Sequence, residues 1–368
     1  MKDRTACSAV FKEKKMITKN SFGTLPCGKE VFLYSLSNKS RLRADISDFG
    51  GTVVRLIVKD REMADIDVVC GFESVDGYLT ASGYQGAIIG RVCNRIKESR
   101  FTLDGVEYEL FANDGKNSAH GGKIGFNKRV WDVVSVTDGD EPTLTLRYVS
   151  PDMEENFPGE LTVTATYTLT EKGGLKIRYE ATTDKNTVIN LTNHSYFNLH
   201  GCGNGTVKDL VMWIDADKIN EQDYELIPTG NFITVKGGAY DFTVPKAIGR
   251  DFDSEPSMDI QHGGYDNNYI INNYDGTVKL CATLKCEDNG IKMNVLTDQP
   301  CVQIYTSNMI DENDIPFKGG KKQMKNCAVC FETQHMPDAI HHPNFTNTVL
   351  RPGEKYDYTT VYEFSIED

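Results

Sequence analysis

Nowhere in the 368 residues is there an uncharged apolar stretch of about 18 residues, so nothing reads as a membrane-spanning helix. The opening MKDRTACSAVFKEKKMITKNSFG lacks the apolar run of a signal peptide, and a cytoplasmic location is expected. Positive charge is in short supply. Forty Lys and Arg against 53 Asp and Glu leave a formal charge of −13, which repels phosphate backbones and anionic bilayers. Neither nucleic acid nor membrane is an expected partner, whereas a neutral ligand feels little of that repulsion. The ten cysteines lack the dense spacing of a disulfide-stapled domain, and reduced thiols are expected. Five glycosylation sequons, at Asn38, Asn190, Asn193, Asn204 and Asn344, are read as chance matches in a cytosolic chain.

Helical periodicity over four turns is missing too, with only SVDGYL and NEQDYEL as brief candidates, and no repeat of 20 to 50 residues announces a solenoid or propeller. What is present is strand after strand. EVFLYSL, LRADISDF, TVVRLIV, DIDVVCGF, WDVVSV, TLTLRYV, ELTVTATYTL, LKIRYEAT, TVINLT, VKLCATL, IKMNVLT, CVQIYTS and VYEFSI alternate or are rich in β-branched residues. Asp104-Gly105 lies between two alternating segments, as a two-residue type I′ hairpin requires. The class is all-β, a large β-sandwich. Residues 1–25, with the lysine-rich FKEKK, read as a mobile lead-in or a loosely attached edge segment, with order beginning near Cys27, and 26–368 as one domain without an internal linker.

The glycine-rich stretches GCGNG and HGGKIG lack the strand-turn-helix frame of a dinucleotide site. A sugar asks for hydrogen-bonding side chains for its hydroxyls and aromatic rings for its C–H face. Several stretches supply that mixture: GRVCNRI (Arg91, Asn94, Arg95), NSAHGG (His120), NHSYFNL (Asn193, His194, Ser195, Tyr196), GYDNNY (Asp266), VQIYTSN (Gln303, Tyr305) and CFETQ (Glu332). Each has a plain alternative: His194 as a core histidine, Arg95 as a surface ion pair, Glu332 as an edge-strand carboxylate. Burial of Glu332 would raise its pKa toward that of a usable base. His120, His194, Asp266 and Glu332 carry the residue types of a metal centre but not the spacing of one. Cys327-x-x-Cys330 is solitary and, in a strand, faces two ways. His341-His342 reads as a solvated loop pair.

Taken in order, GRVCNRI, FTLDGVEYEL, NSAHGG, SPDMEENFPGEL, NLTNHSYFNL, IPTG, GYDNNY, PCVQIYTSN, FETQHMPDA and LRPGEKY resemble the galactose mutarotase (aldose 1-epimerase) family from about residue 27 to the C-terminus. The resemblance implies a sandwich with an open sugar cleft, a catalytic acid at His194 and a catalytic base at Glu332. It implies substrate contacts at Asn94, Arg95, His120, Asp266 and Gln303, no metal and no cofactor. The partner it implies is a free monosaccharide such as galactose or glucose, and the chain is expected to be a monomer or weak homodimer. Cys93, Asn267, Ser307 and Met336 depart from the family's usual residues, which bears on local packing and sugar preference. Two alternatives accompany this reading. A hexose-6-phosphate epimerase of the same fold would need a phosphate cradle, for which Arg91 or the FKGGKKQMK loop are the candidates. A non-catalytic carbohydrate-binding protein would have no need of an acid/base pair.

Overall fold

In the computed structural model the described residues are 16–252, 254 and 263–367. They form three large antiparallel sheets and a set of two-stranded ladders. The largest sheet has nine strands, in the order Asp132–Thr137, Thr143–Ser150, Leu161–Leu169, Gly174–Thr183, Tyr356–Ile366, Ile291–Thr297, Lys279–Lys285, Val211–Ile214 and Lys246–Ala247. Alternation drives it: in LTVTATYTL the residues Leu161, Val163, Ala165 and Tyr167 are fully buried, with threonines between them on the wetter face. A five-stranded N-terminal sheet runs Ile17–Thr24, Glu30–Ser37, Arg43–Ser47, Val53–Lys59, Asp65–Asp67. A second five-stranded sheet runs Pro228–Thr234, Lys218–Gln222, Asp266–Ile270, Cys301–Tyr305, Cys330–Gln334. All three contribute to one apolar core, with Ile46 and Leu56 from the N-terminal sheet, Val163 and Tyr179 from the nine-stranded one, and Val302, Ile304 and Phe331 from the second five-stranded one.

The expected hairpin is present: Leu103 pairs with Val106, and Asp104 and Gly105 both take positive φ, 50° and 81°. SVDGYL opens the helix Val75–Thr80, with Ser74 at its N-cap. NEQDYEL does not form a helix. Asn220, Glu221 and Gln222 end the strand Lys218–Gln222, because pairing on both sides of that strand outweighs a weak local preference. Order begins earlier than Cys27, since Ile17–Thr24 pairs with Glu30–Ser37 along the sheet edge. FKEKK and Cys7 lie outside the described residues. The nine described cysteines are unpaired. Cys330 Sγ lies 3.4 Å from His194 Nδ1, whereas Cys327 meets Ser307 Oγ at 4.0 Å, so the two thiols of Cys-x-x-Cys serve different surroundings. His341 and His342 are not a solvated pair; both turn onto the buried Asp338, at 2.6 and 3.4 Å.

Arg91 is a structural residue. Its guanidinium is buried and donates to the carbonyls of Pro158 (2.7 Å), Gly159 (2.8 Å) and Pro151 (3.2 Å), to Ser150 Oγ (2.6 Å) and to Thr187 Oγ1 (3.1 Å). Lys318 of the FKGGKKQMK loop is likewise buried, donating to Val69 O (3.0 Å) and pairing with Asp67 (2.7 Å). Both side chains bond away from the cavity described next, so neither cradles a phosphate there.

Candidate active site

The strands Asp266–Ile270, Cys301–Tyr305 and Cys330–Gln334 are buried on both faces, which is why their sequences show no apolar alternation. One face carries Tyr269, Val302, Ile304 and Phe331 into the core. The other presents polar groups, and register sets them side by side: Asn268 opposite Gln303, Gln303 opposite Glu332, Asp266 opposite Tyr305, and Tyr305 opposite Cys330. Glu332 is on an edge strand and 2% exposed, so both readings of its position hold at once.

His194 arrives from a different stretch. Thr192–Asn193 pairs with Ile88–Ile89, and Tyr196–Phe197 with Val69–Cys70, so the intervening His194 is clamped between two ladders. Its N–H donates to Ala87 O (2.9 Å), its carbonyl accepts from Gly86 N–H (2.8 Å), and Asn193 Nδ2 also donates to Gly86 O (2.8 Å). The ring is sandwiched by Tyr196 (centroids 5.0 Å apart, 18° between planes) and Tyr84 (5.8 Å, 23°). The amides around His194 therefore fix its backbone, and the tyrosines fix its ring.

Arg95 and His120 are brought together by the short ladder of Arg95–Ile96 with Ser118–Ala119. Asn94 and His120 both take left-handed φ, 56° and 52°. Gly121 follows at φ 87°, and a Cβ there would sit 2.0 Å from Gly90 O, so the chain can turn here only with glycine. Arg95 is no surface ion pair: its side chain is 14% exposed, donates to Asp114 (2.7 Å) and approaches Asp266 at 4.0 Å. Gln303 Nε2 donates to Asp266 Oδ1 at 2.6 Å.

These groups surround one cavity of about 210 Å³, lined by Asn94, Arg95, His120, His194, Asp266 and Glu332 together with Tyr84, Asn113, Asp114, Tyr196, Tyr305 and a rim of Ser82, Met309 and Ile310. The expected site residues thus meet in one place, except that Gln303 stands behind Asp266 rather than on the wall. Tyr84, Asp114, Met309 and Ile310 went unread in the sequence; they sit in connecting segments with no period to betray them. Cys93, Asn267, Ser307 and Met336 do not line the cavity. Ser307 takes the left-handed conformation (φ 48°) that glycine would take without strain, and its hydroxyl bonds Ala328 O and Ala328 N–H at 3.0 Å each.

Across the cavity floor His194 Nε2 and Glu332 Oε1 are 3.5 Å apart. Burial pushes His194 down to about 3. Burial, reinforced by Asp266 and opposed by Arg95, pushes Glu332 well above the usual carboxylate range. Burial also lowers His120, helped by His194 and Arg95. Both shifts disfavour a standing imidazolium and carboxylate in this dry pocket and favour a single proton on the carboxyl. Moving that proton to the imidazole creates a base and an acid together without changing the net charge of the buried site. Glu332 Oε2 and Gln303 Oε1 are buried without a hydrogen-bond partner among the described residues, and of the two residues only Glu332 lines the cavity, so its carboxyl keeps bonding capacity for a hydroxyl. Ligand atoms of His120, His194 and Glu332 also lie within 4.8 Å of one another, close enough to gather a cation.

A family model described as aldose 1-epimerase matches residues 33–363. The chain is 40% identical over 350 residues to the galactose mutarotase of Bos taurus (95% of this chain, 99% of that one) and 32% identical over 352 residues to the aldose 1-epimerase of Haemophilus influenzae (95% and 100%). Among solved structures, an aldose epimerase homologue from C. elegans superposes with a TM-score of 0.83 at 29% identity, covering 91% of this chain and 99% of that one. A matched family model over most of the chain, relatives matched nearly end to end, and a shared all-β architecture agree with the cavity in which His194 faces Glu332: the chain belongs to the aldose 1-epimerase family.

Proposed function

We propose that the chain interconverts the α and β anomers of free aldohexoses such as galactose or glucose, with Glu332 as base and His194 as acid. The observation that carries this reading is the 3.5 Å approach of those two side chains on the floor of a single sugar-sized cavity. Opening a pyranose requires a proton taken from the O1 hydroxyl and one given to the ring oxygen. Both oxygens are bonded to C1, so two groups this close address both. The C1–C2 bond then turns, and closure returns the protons with the roles exchanged. Arg95 and His120 face the transient carbonyl oxygen as fixed donors, where developing negative charge rewards them. Asn94 and Asp266 orient hydroxyls, and Gln303 holds Asp266 in place. Two positioned proton-transfer groups, at roughly 10²- to 10⁴-fold each, suffice for a reaction that water already supports.

A hexose 6-phosphate is disfavoured as substrate because Arg95 is the one Arg or Lys among the described lining residues, and it is already shared between Asp114 and Asp266. The test is polarimetry of freshly dissolved α-D-galactose and α-D-glucose beside their 6-phosphates, before and after EDTA dialysis. Rapid anomerisation of the free sugars, unaffected by EDTA, is expected. Activity confined to phosphates, or lost on chelation and restored by metal, overturns the assignment.

The shared proton also sets a pH dependence. The competent pair carries one proton, so kcat/KM should fall only when His194 gains a second, near its depressed value of about 3, or when Glu332 loses the first, above its raised value. After subtraction of the spontaneous rate, the profile should be level through mild acid and should decline on the alkaline side. An acid limb near the ordinary histidine value of about 6.5 would mean a solvated imidazole and would refute the shared-proton state.

A further inference from the structure

A second set of donor groups gathers round one imidazole that lies outside the cavity lining: His200 with Asp209, Cys286 and Asp288. Three separate stretches deliver them. His200 follows the strand Tyr196–Phe197, and its N–H donates to Asn198 Oδ1 (2.9 Å). Cys286 and Asp288 belong to the turn between Lys279–Lys285 and Ile291–Thr297, closed by Cys286 N–H to Ile291 O (2.9 Å) and Gly290 N–H to Cys286 O (3.0 Å). Asn289 Nδ2 donates to Leu199 O (2.7 Å), which pins that turn beside His200. None of the four residues lines the sugar cavity.

The arrangement round the imidazole is directional. Asp209 Oδ2 lies 2.9 Å from Nε2, so the carboxylate accepts the Nε2–H and leaves a lone pair on Nδ1. Nδ1 faces Cys286 Sγ at 3.5 Å and Asp288 Oδ2 at 4.0 Å. A carboxylate that orients one imidazole nitrogen while the other binds is the usual outer-shell support of a metal-ligating histidine. Zinc bonds of roughly 2.3 Å to sulfur and 2.05 Å to nitrogen, at a tetrahedral angle, separate S and N by about 3.6 Å, close to the spacing seen here. Asp288 is 81% exposed at its side chain, while the thiol is almost fully buried.

We propose that His200 Nδ1, Cys286 Sγ and Asp288 bind a single borderline divalent cation, Zn²⁺ by donor set, with Asp209 orienting the imidazole, and that this ion clamps the 200–209 segment to the 286–291 turn. The site is independent of the sugar chemistry. Asp209 and Asp288 set negative charge beside the imidazole, which favours a cation there.

A thiol-to-imidazole hydrogen bond has the same spacing, and cobalt separates the two. Full-length protein freed of metal by chelation is titrated with Co²⁺. One equivalent should bring up a thiolate-to-cobalt charge-transfer band that Zn²⁺ abolishes, and Zn²⁺ should raise Tm while leaving the anomerisation rate unchanged. Cys286→Ser should lose the band and His200→Ala should weaken Zn²⁺ binding by about 10-fold or more. In His194→Asn, where the cavity's own histidine is gone, the band should persist. Absence of the band in the wild type, or its survival in Cys286→Ser, overturns the site.

Discussion

Glu332→Gln is expected to slow anomerisation of α-D-galactose by about 10²- to 10⁴-fold, the range for loss of one positioned proton-transfer group. His194→Asn should cost a similar factor. The amide keeps the volume of Glu332 and its place opposite Gln303 but cannot hold the shared proton. Because the pair works on one proton, the losses should not multiply: the double variant should be about as slow as the slower single one. Stability should move the other way for Glu332→Gln. Keeping a proton on a buried carboxyl that the unfolded chain would ionise costs stability at neutral pH, and a neutral amide avoids that cost, so Tm should hold or rise. Polarimetry with thermal melts on the same preparations checks both statements. A near-normal rate in either single variant would remove that residue from the chemistry.

The second large effect concerns stability alone. Arg91→Met should destabilise the protein by more than about 4 kcal/mol, since it strips the donor from a largely buried cluster of carbonyls and hydroxyls. The guanidinium is itself held down to about 10 by burial, with Glu154 the first of the anions that offset this. Arg91→Lys should recover little, because a single ammonium cannot span partners contributed by residues 150–159 and 187. Urea unfolding measures the loss, and kcat/KM of the folded fraction should be unchanged, as Arg91 lies outside the sugar cavity. A denaturation midpoint equal to that of the wild type would contradict the role assigned to it.

How far the sequence could be read follows from where period and chemistry coincide. Leu161–Leu169 and Ile291–Thr297 have one face in the core and one toward solvent, so they announce themselves by alternation. Asp266–Ile270 and Cys330–Gln334 are enclosed on both sides, with polar groups packed over one face, and only the motifs they carry made them visible. Ile17–Thr24 and Lys218–Gln222 depend on partner strands rather than on their own residues. His194, Glu332, Asn94, Arg95, His120 and Asp266 could be named because each stands in a distinctive local phrase. Gln303 was named with them, and its position one layer back follows from a register that no linear reading contains. Tyr84 and Asp114 stand in glycine-flanked turns, where neighbours in sequence say little about neighbours in space.

The groups proposed to handle protons, Glu332 and His194, stand on paired strands or between them, with Asp266 beside them, whereas Ser82, Tyr84, Asn113, Met309 and Ile310 stand on connecting segments at the mouth. Because the reverse face of the sheet is close-packed core, the reacting geometry is tightly constrained: one methylene added at Phe331 is felt by the carboxylate one residue away. At the mouth Ser82, Met309 and Ile310 carry no such constraint, whereas Tyr84 stacks on His194 and Asp114 holds Arg95. A laboratory effort to retune sugar preference is therefore best served by libraries at 82 and 309–310, an adaptable threshold above a fixed floor.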